Sequence, residues 1–369
     1  MNPPFRVGLI GCGDIARKAY LPFARQQQDF VITACCDARL DFAESLAREF
    51  AIPRAISDPG EIIEAPDIDI VLNLTHPAAH APLNLRAVRA GKHVYVEKPF
   101  GLDRAEARAV LDAADKNGCL VGCAPDTVLG PGTQHVRRLL ANGVIGQPLF
   151  ARLVCASGGH ESWHPNPAFY YAGGGGPMLD MGPYHLSFLI HCLGPVKNVG
   201  GRAVRGFRTR TITSSPLAGT IIPVETPTHY VGSMEMVCGV IVDVCFSFDL
   251  PFGYNGSNLP EIYGTEGRLQ APDPNKFEGS VHVNSTRRRD TPLQIVPDNT
   301  PTGPTGRGLG LVDLCRALRE KRPPRASGEL AYHVLDVMLA FHDSEKEERR
   351  IEIGSTCNQP LLLPAGGLV

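Results

Sequence analysis

Apolar residues in the first third of the chain fall into short unbroken runs, separated by segments where they recur at helical spacing. RVGLI (6–10), VITACC (31–36), DIVLNL (69–74), HVYVE (93–97) and CLVGCA (119–124) are continuous enough to be strands buried on both faces. Between them, residues 39–50 repeat Leu40, Ala43, Leu46, Ala47 and Phe50 on one helical face. HAPLNLRAVRAG (80–91) ends in Gly91, a C-cap glycine. Residues 102–118 place Asp103 three positions before Glu106, the capping-box spacing, and stop at Gly118. Alternating strands and helices with right-handed crossovers predict a doubly wound parallel sheet.

The pattern changes after a helix near residues 134–141. Long β-rich stretches follow at 147–157, 196–206, 232–250 and 259–272, with turn residues at 253–258 and 264–267. They predict an α+β part with a large, mostly antiparallel open sheet. Residues 296–308 are rich in Pro, Gly and Thr and read as a loop. Residues 328–346 form a late amphipathic helix with Leu330, Val334, Val337, Met338 and Phe341 on one face. No internal repeat is visible.

A chain of 369 residues suits two domains, and 43% hydrophobic with 20% charged residues is enough to bury proper cores. The formal net charge of -2 gives no reason to expect a nucleic-acid or anionic-membrane partner, and Arg287–Arg289 reads as a solvated loop. The N-terminus lacks the apolar core of a signal peptide, and no segment approaches the ~18 apolar residues of a membrane span. The expectation is a soluble cytoplasmic protein. Its 11 cysteines are odd in number and contain no C-x-x-C, so they read as small buried hydrophobes in a reducing compartment. Asn255 and Asn284 head N-x-S/T triplets that are chance matches without a secretory route.

The first strand runs into GCGDIA. Gly11, Gly13 and Ala16 make G-x-G-x-x-A, and Asp37 ends the second strand 24 residues after Gly13. Gly11 permits the tight turn, Gly13 lets backbone N–H groups approach a pyrophosphate, and Ala16 permits close helix–sheet packing. Asp37 suits ribose hydroxyls and disfavours a 2′-phosphate, which favours NAD; Arg39 in the same turn leaves NADP as the alternative. Lys98 directly follows an apolar strand at its carboxyl end, so it is expected beside the nicotinamide. GGGGPMLDMGPYH (173–185) supplies Asp180 and Tyr184, one helical turn apart on a shared face, with His185 about 100° further round. Lys, Asp and Tyr together are a proton-handling set. His191, deeper in the same helix, reads as a packed or capping histidine. HESWH (160–164) matches the zinc pattern H-E-x-x-H, but the preceding glycines and Pro165 argue against the helix that pattern needs.

With these residues in hand, VGLIGCGDIA, HPAAHAPLNLRAVRAGKHVYVEKPF, GGGGPMLDMGPYH and EIYGTEG together resemble the Gfo/Idh/MocA oxidoreductases, over residues 6 to about 353. The resemblance implies a Rossmann domain over 1–125 and a C-terminal α/β substrate-binding and oligomerisation domain over 126–369, whose last helix can pack back on the first domain. It implies NAD(P)-dependent hydride transfer on a sugar, polyol or related cyclic compound, and a homodimer or homotetramer. Lys98 and Asp180 match its catalytic Lys and Asp. Tyr184 stands where some members have His, so it is the proton donor/acceptor, with His185 secondary. Asp14, Ile15, Thr75, His76, His80 and Glu97 join the cofactor set. In this fold HESWH leads into the catalytic motif, so His160, Trp163, His164 and Tyr170 would line the substrate pocket. CAPDTVLGPG (123–132) departs from the usual pattern and leaves the substrate open. The alternatives are a regulatory NAD-binding protein of the same fold, a nonredox lyase or glycosidase that oxidises transiently, and, remotely, a zinc hydrolase.

Overall fold

In the computed structural model, which describes residues 3–251, 258–286, 288, 291–298, 303–364 and 367–368, the apolar runs of the first third become strands. The turn read at 253–257, Asn255, Arg287, Arg289 and residues 299–302 of the Pro/Gly/Thr-rich loop lie outside the described residues. The chain divides into two compact units. One is Met1–Leu129 with Pro301–Tyr332 and Leu363–Val369; the other is Gly130–Thr300 with His333–Leu362.

In the first unit, β1 (Phe5–Ile10), β2 (Phe30–Cys36), β3 (Arg54–Ile56), β4 (Ile70–Asn73), β5 (His93–Val96) and β6 (Val121–Cys123) form, among the described residues, a six-stranded sheet in the order β3-β2-β1-β4-β5-β6. Its pairings are parallel. Val7, Leu9, Ile70, Val71, Val94 and Val96 are buried, as strands covered on both faces require. A π-helical turn (Ala16–Tyr20) leads into α1 (Leu21–Ala24), followed by α2 (Leu40–Phe50), α3 (Pro59–Ile63), α4 (Pro77–Arg89) and α5 (Arg104–Asn117). At α5 the Asp103 carboxylate accepts the Glu106 N–H at 3.0 Å and Gly118 ends the helix in the left-handed region, as the spacing predicted. β3 and α3 were not legible; they are too short to show a period.

In the second unit α6 (Pro131–Ala141) and α7 (Gly176–Leu193) accompany a sheet built from β7 (Pro148–Ala156) and β8 (Val196–Val204), with a separate two-stranded ribbon of β9 (Thr209–Thr211) and β10 (Ile221–Pro223). The sheet continues with β11 (His229–Met236), β12 (Ile241–Ser247), β13 (Glu261–Gly264), β14 (Arg268–Gln270), β15 (Val281–Asn284), β16 (Gln294–Val296) and β17 (Ile351–Glu352). Among the described residues its order is β16-β15-β14-β13-β7-β12-β11-β8-β17, antiparallel except where β7 meets β12. The stretch read as one run over 232–250 is a hairpin, turned at Gly239 (φ 88). Tyr230, Met234, Val242, Val244 and Phe246 fill the buried face. His185 of α7 meets Phe246 edge-on at 5.2 Å, and Phe341 meets Tyr230 at 6.5 Å. Phe341 belongs to α9 (Gly328–Glu347), whose predicted apolar face is buried throughout. The opposite face of the sheet exposes Phe150, Val231 and Ile241.

The helix α8 (Leu309–Glu320) of the first unit was not anticipated. Its start is tied down by Asp126, fully buried, whose Oδ2 accepts the N–H of Gly308 at 2.7 Å and of Gly310 at 3.1 Å. The CAPDTVLGPG segment therefore supplies a helix cap. Arg316 and Arg319 both pair with Asp29, holding α8 beside the start of β2. Asp126→Ala is expected to strand two buried N–H groups and to lower unfolding free energy by about 1–3 kcal/mol in a urea titration.

Candidate functional site

The strand order of the first sheet reverses between β1 and β4, and ligands of such sheets bind in the crevice at the carboxyl ends there. The glycine loop leaves β1 at that point. Gly11 has φ 102, and a Cβ on it would lie 2.6 Å from the Leu74 carbonyl at the end of β4. Only glycine passes. Gly13 has no atom within 4 Å of its Cβ position, so its backbone borders open space. The chain is helical from Asp14, with Ala16 fully buried, which aims the first free N–H groups into the crevice. At the end of β2 the Asp37 carboxylate accepts the Cys12 N–H at 2.9 Å and the Arg39 N–H at 3.0 Å. It is thus fixed beside the loop. The Arg39 guanidinium instead pairs with Asp41 at 2.9 Å and lies 3.9 Å over the Phe42 ring. Asp14 is exposed and paired with Lys18 at 2.7 Å, and Ile15 is exposed. A tight turn, an open backbone edge and an oriented acid are the features a dinucleotide needs, so these residues fit one.

The chain after β4 and the chain after β5 are joined by His80. Its ring is buried, with Nδ1 2.7 Å from the Pro99 carbonyl and Nε2 3.0 Å from the Thr75 carbonyl. Burial pushes its pKa below the usual imidazole range. It was expected at the cofactor; its ring atoms are spent on the two loops, so any influence runs through them. The Thr75 hydroxyl donates to Asn73 at 2.6 Å, and His76 is exposed at the N-cap of α4. Glu97 is buried at the end of β5 and accepts the Tyr20 hydroxyl at 2.8 Å and the Lys98 N–H at 3.0 Å. Tyr20 lies in the turn after the glycine loop, so this pair links the two motifs. Lys98 is half-buried.

In the second unit the glycine run solves a packing problem within the chain. A Cβ at Gly175 would meet the Tyr170 carbonyl at 2.5 Å, and one at Gly176 (φ 87) the Pro227 carbonyl at 2.7 Å. Gly182 inside α7 gives the same room to α9, since its Cβ would approach the Met338 sulfur at 3.0 Å. Asp180 is half-buried and Tyr184 is buried, one turn apart on α7. His185 faces the sheet instead: its Nδ1 lies 3.2 Å from the Met181 carbonyl, and burial holds its pKa low. His191 is buried, with Nε2 3.0 Å from the Gln134 amide. Burial, with Asp180 and Asp273 nearby, pushes the Cys155 thiol up to about 12.

HESWH is a turn, not a helix: the N–H groups of Trp163 and His164 both point back to the His160 carbonyl. Glu161 is consumed by Arg210 at 2.6 Å and by the Tyr171 hydroxyl. Arg210 also holds Asp249, so a half-buried clamp pins the turn. The rings of His160, Trp163, His164, Phe169 and Tyr170 cluster, with centroid separations of 3.8–5.4 Å. Trp163 is 62% and Phe169 54% exposed, an open aromatic surface. Sequence reasoning missed Tyr20, Phe169 and Arg210. Tyr20 was findable one turn after Ala16; nothing in the local pattern marks Arg210, which comes from a ribbon 50 residues away in sequence from HESWH.

Comparison with known proteins gives two matching family models. Residues 5–124 match an oxidoreductase family with an NAD-binding Rossmann fold, and residues 133–270 match the GFO/IDH/MocA C-terminal domain. A D-glucoside 3-dehydrogenase of Escherichia coli is 29% identical over 215 residues, 57% of this chain and 60% of that protein. A myo-inositol 2-dehydrogenase of Thermotoga maritima is 25% identical over 361 residues, 94% of this chain and 98% of that one. A levoglucosan dehydrogenase solved in complex with NADH superposes with a TM-score of 0.80 at 21% identity, covering 95% of this chain and all (100%) of that one. Gly11→Ala is expected to impose about 1–3 kcal/mol of backbone strain and to weaken NADH binding roughly tenfold or more, read by nucleotide fluorescence titration.

Proposed function

Because the chain belongs to the Gfo/Idh/MocA family of NAD-binding oxidoreductases, we propose that it transfers hydride between nicotinamide and a ring-borne hydroxyl or carbonyl of a sugar, polyol or related cyclic compound. One observation carries the reading: Lys98 follows β5, the strand beside β4 and hence beside the crossover crevice that Gly11, Gly13 and Asp37 border. The relatives' names, a glucoside and an inositol dehydrogenase, support the substrate class and favour net redox turnover over a regulatory or transient-oxidation role.

The bound nicotinamide supplies the hydride acceptor or donor. The chain's residues supply the rest. Lys98 carries a positive charge that stabilises an alkoxide as the substrate hydroxyl loses its proton, an electrostatic effect worth most in a water-poor site. Tyr184, as its phenolate, takes that proton as general base, and as the phenol returns it when the reaction runs as a reduction. Asp180 orients the lysine or a substrate hydroxyl. Trp163, His164 and Tyr170 offer aromatic faces to the sugar ring. Asp37 hydrogen-bonds the ribose and repels a 2′-phosphate, so NAD is preferred over NADP. We assign residues 1–125 to cofactor and the second unit to substrate and assembly, in a protein of the cytoplasm; the exposed Phe150, Val231 and Ile241 favour a homo-oligomer. Among the described residues no helix is long and apolar enough to cross a membrane.

NADH formation across a panel of inositols, aldoses and glucosides tests the reading. At least one is expected to be oxidised, and Lys98→Met to cut its turnover by about two or more orders of magnitude while NAD binding persists. Asp37→Ala is expected to erode the NAD preference, measured as the ratio of kcat/KM for the two nucleotides, because the repelling charge is gone.

A further inference from the structure

The proton-handling set proposed above uses Asp180, and inside the second unit Asp180 has a partner which that set does not assign. His160 Nε2 lies 3.6 Å from Asp180 Oδ2, with both side chains largely buried. That separation is an ion-pairing distance, too long for a hydrogen bond; catalytic contacts of this length tighten when substrate is bound. The imidazole has little freedom to be elsewhere. Tyr170 stacks on one side at 3.8 Å with an interplanar angle of 18°, and Phe248 abuts it edge-on at 4.5 Å. The His160 backbone N–H donates to the Tyr171 hydroxyl at 3.1 Å, and that hydroxyl donates to Glu161, which Arg210 clamps.

We propose that His160 is a positioning residue for Asp180. Resting on the reading of Asp180 as part of the catalytic set, it assigns that carboxylate a fixed orientation imposed from the aromatic turn. His160 holds the carboxylate through Nε2, so the same turn that offers rings to the substrate also sets the carboxylate that orients the reacting groups. The imidazole meets Asp180 from α7, Tyr170, Phe248 and, from its own turn, Trp163; the charged groups tied to that turn are Glu161, Arg210 and Asp249. Glu161 and Asp249 share Arg210, whereas Asp180 lies at ion-pairing distance from His160 and favours its protonated form.

Trp163, the only tryptophan of the chain, sits 5.2 Å from the His160 ring and reports on it, because imidazolium quenches indole fluorescence. In a pH titration of the purified full chain, the His160-dependent quenching step is expected to vanish in His160→Asn and to move to lower pH in Asp180→Asn, since removing the carboxylate disfavours the imidazolium. On whichever panel compound is oxidised, His160→Phe keeps a ring in the sandwich but loses the nitrogen and is expected to lower kcat about tenfold with little change in KM. His160→Gln keeps an N–H donor at the reach of Nε2 and is expected to recover much of that loss. A merely structural ring predicts the opposite order of the two variants. A step unmoved by Asp180→Asn, or His160→Phe turning over like wild type, overturns the proposal. Full turnover in Asp180→Asn would instead overturn the reading on which it rests.

Discussion

At Gly11 the chain leaves β1 with a positive φ and passes so near the end of β4 that a methyl group would sit 2.6 Å from the Leu74 carbonyl. That steric constraint sets the geometry of the crevice. Because the loop lies against β4, its next residues open outward, and Gly13 borders free space. Because the loop is anchored, the Cys12 N–H can hold Asp37 at the end of β2 while Tyr20, one turn into the following helix, reaches Glu97 at the end of β5. Three strand ends are thereby tied to one turn. His80 adds a fourth tie, between the chain after β4 and the chain after β5.

The second unit solves a different problem, how to hold polar chemistry on a helix that is otherwise apolar. Glycines at 175, 176 and 182 bring α7 against neighbouring backbone and against α9. The helix is thus gripped by contacts that tolerate no drift, which fixes Asp180 and Tyr184 along its length. The half-buried Arg210 between Glu161 and Asp249 fixes the adjoining aromatic turn. Removing one partner of such a network leaves a part-buried charge without its counter-ion. The clamp therefore specifies one conformation of the turn rather than merely adding stability.

Much of this was legible in the residues. The parallel strands announced themselves because burial on both faces demands unbroken apolar runs, and the glycine loop because its backbone geometry admits few residues. Asp103 with Glu106, and Gly118, marked α5 because helix ends need those caps. What escaped was non-local or short. α8 returns to the first unit after a long excursion, and its cap, Asp126, lies 182 residues away. β3 and α3 are below the length at which a period shows. The zinc pattern in HESWH was correctly distrusted on backbone grounds, since the segment is a turn. The reason for the glycine run before α7 was not legible: at Gly175 and Gly176 the chain's own backbone fills the space.

The central claim is that this chain moves a hydride between a sugar or polyol carbon and nicotinamide, with net oxidation or reduction as the outcome. Isotope transfer tests it most directly. With NAD and a compound from the panel deuterated at its hydroxyl-bearing carbons, the account predicts one deuterium in the nicotinamide ring of the NADH formed and an equal amount of ketone, both measured by mass spectrometry. Deuterium retained in an eliminated or hydrolysed product, with no net NADH, would contradict it.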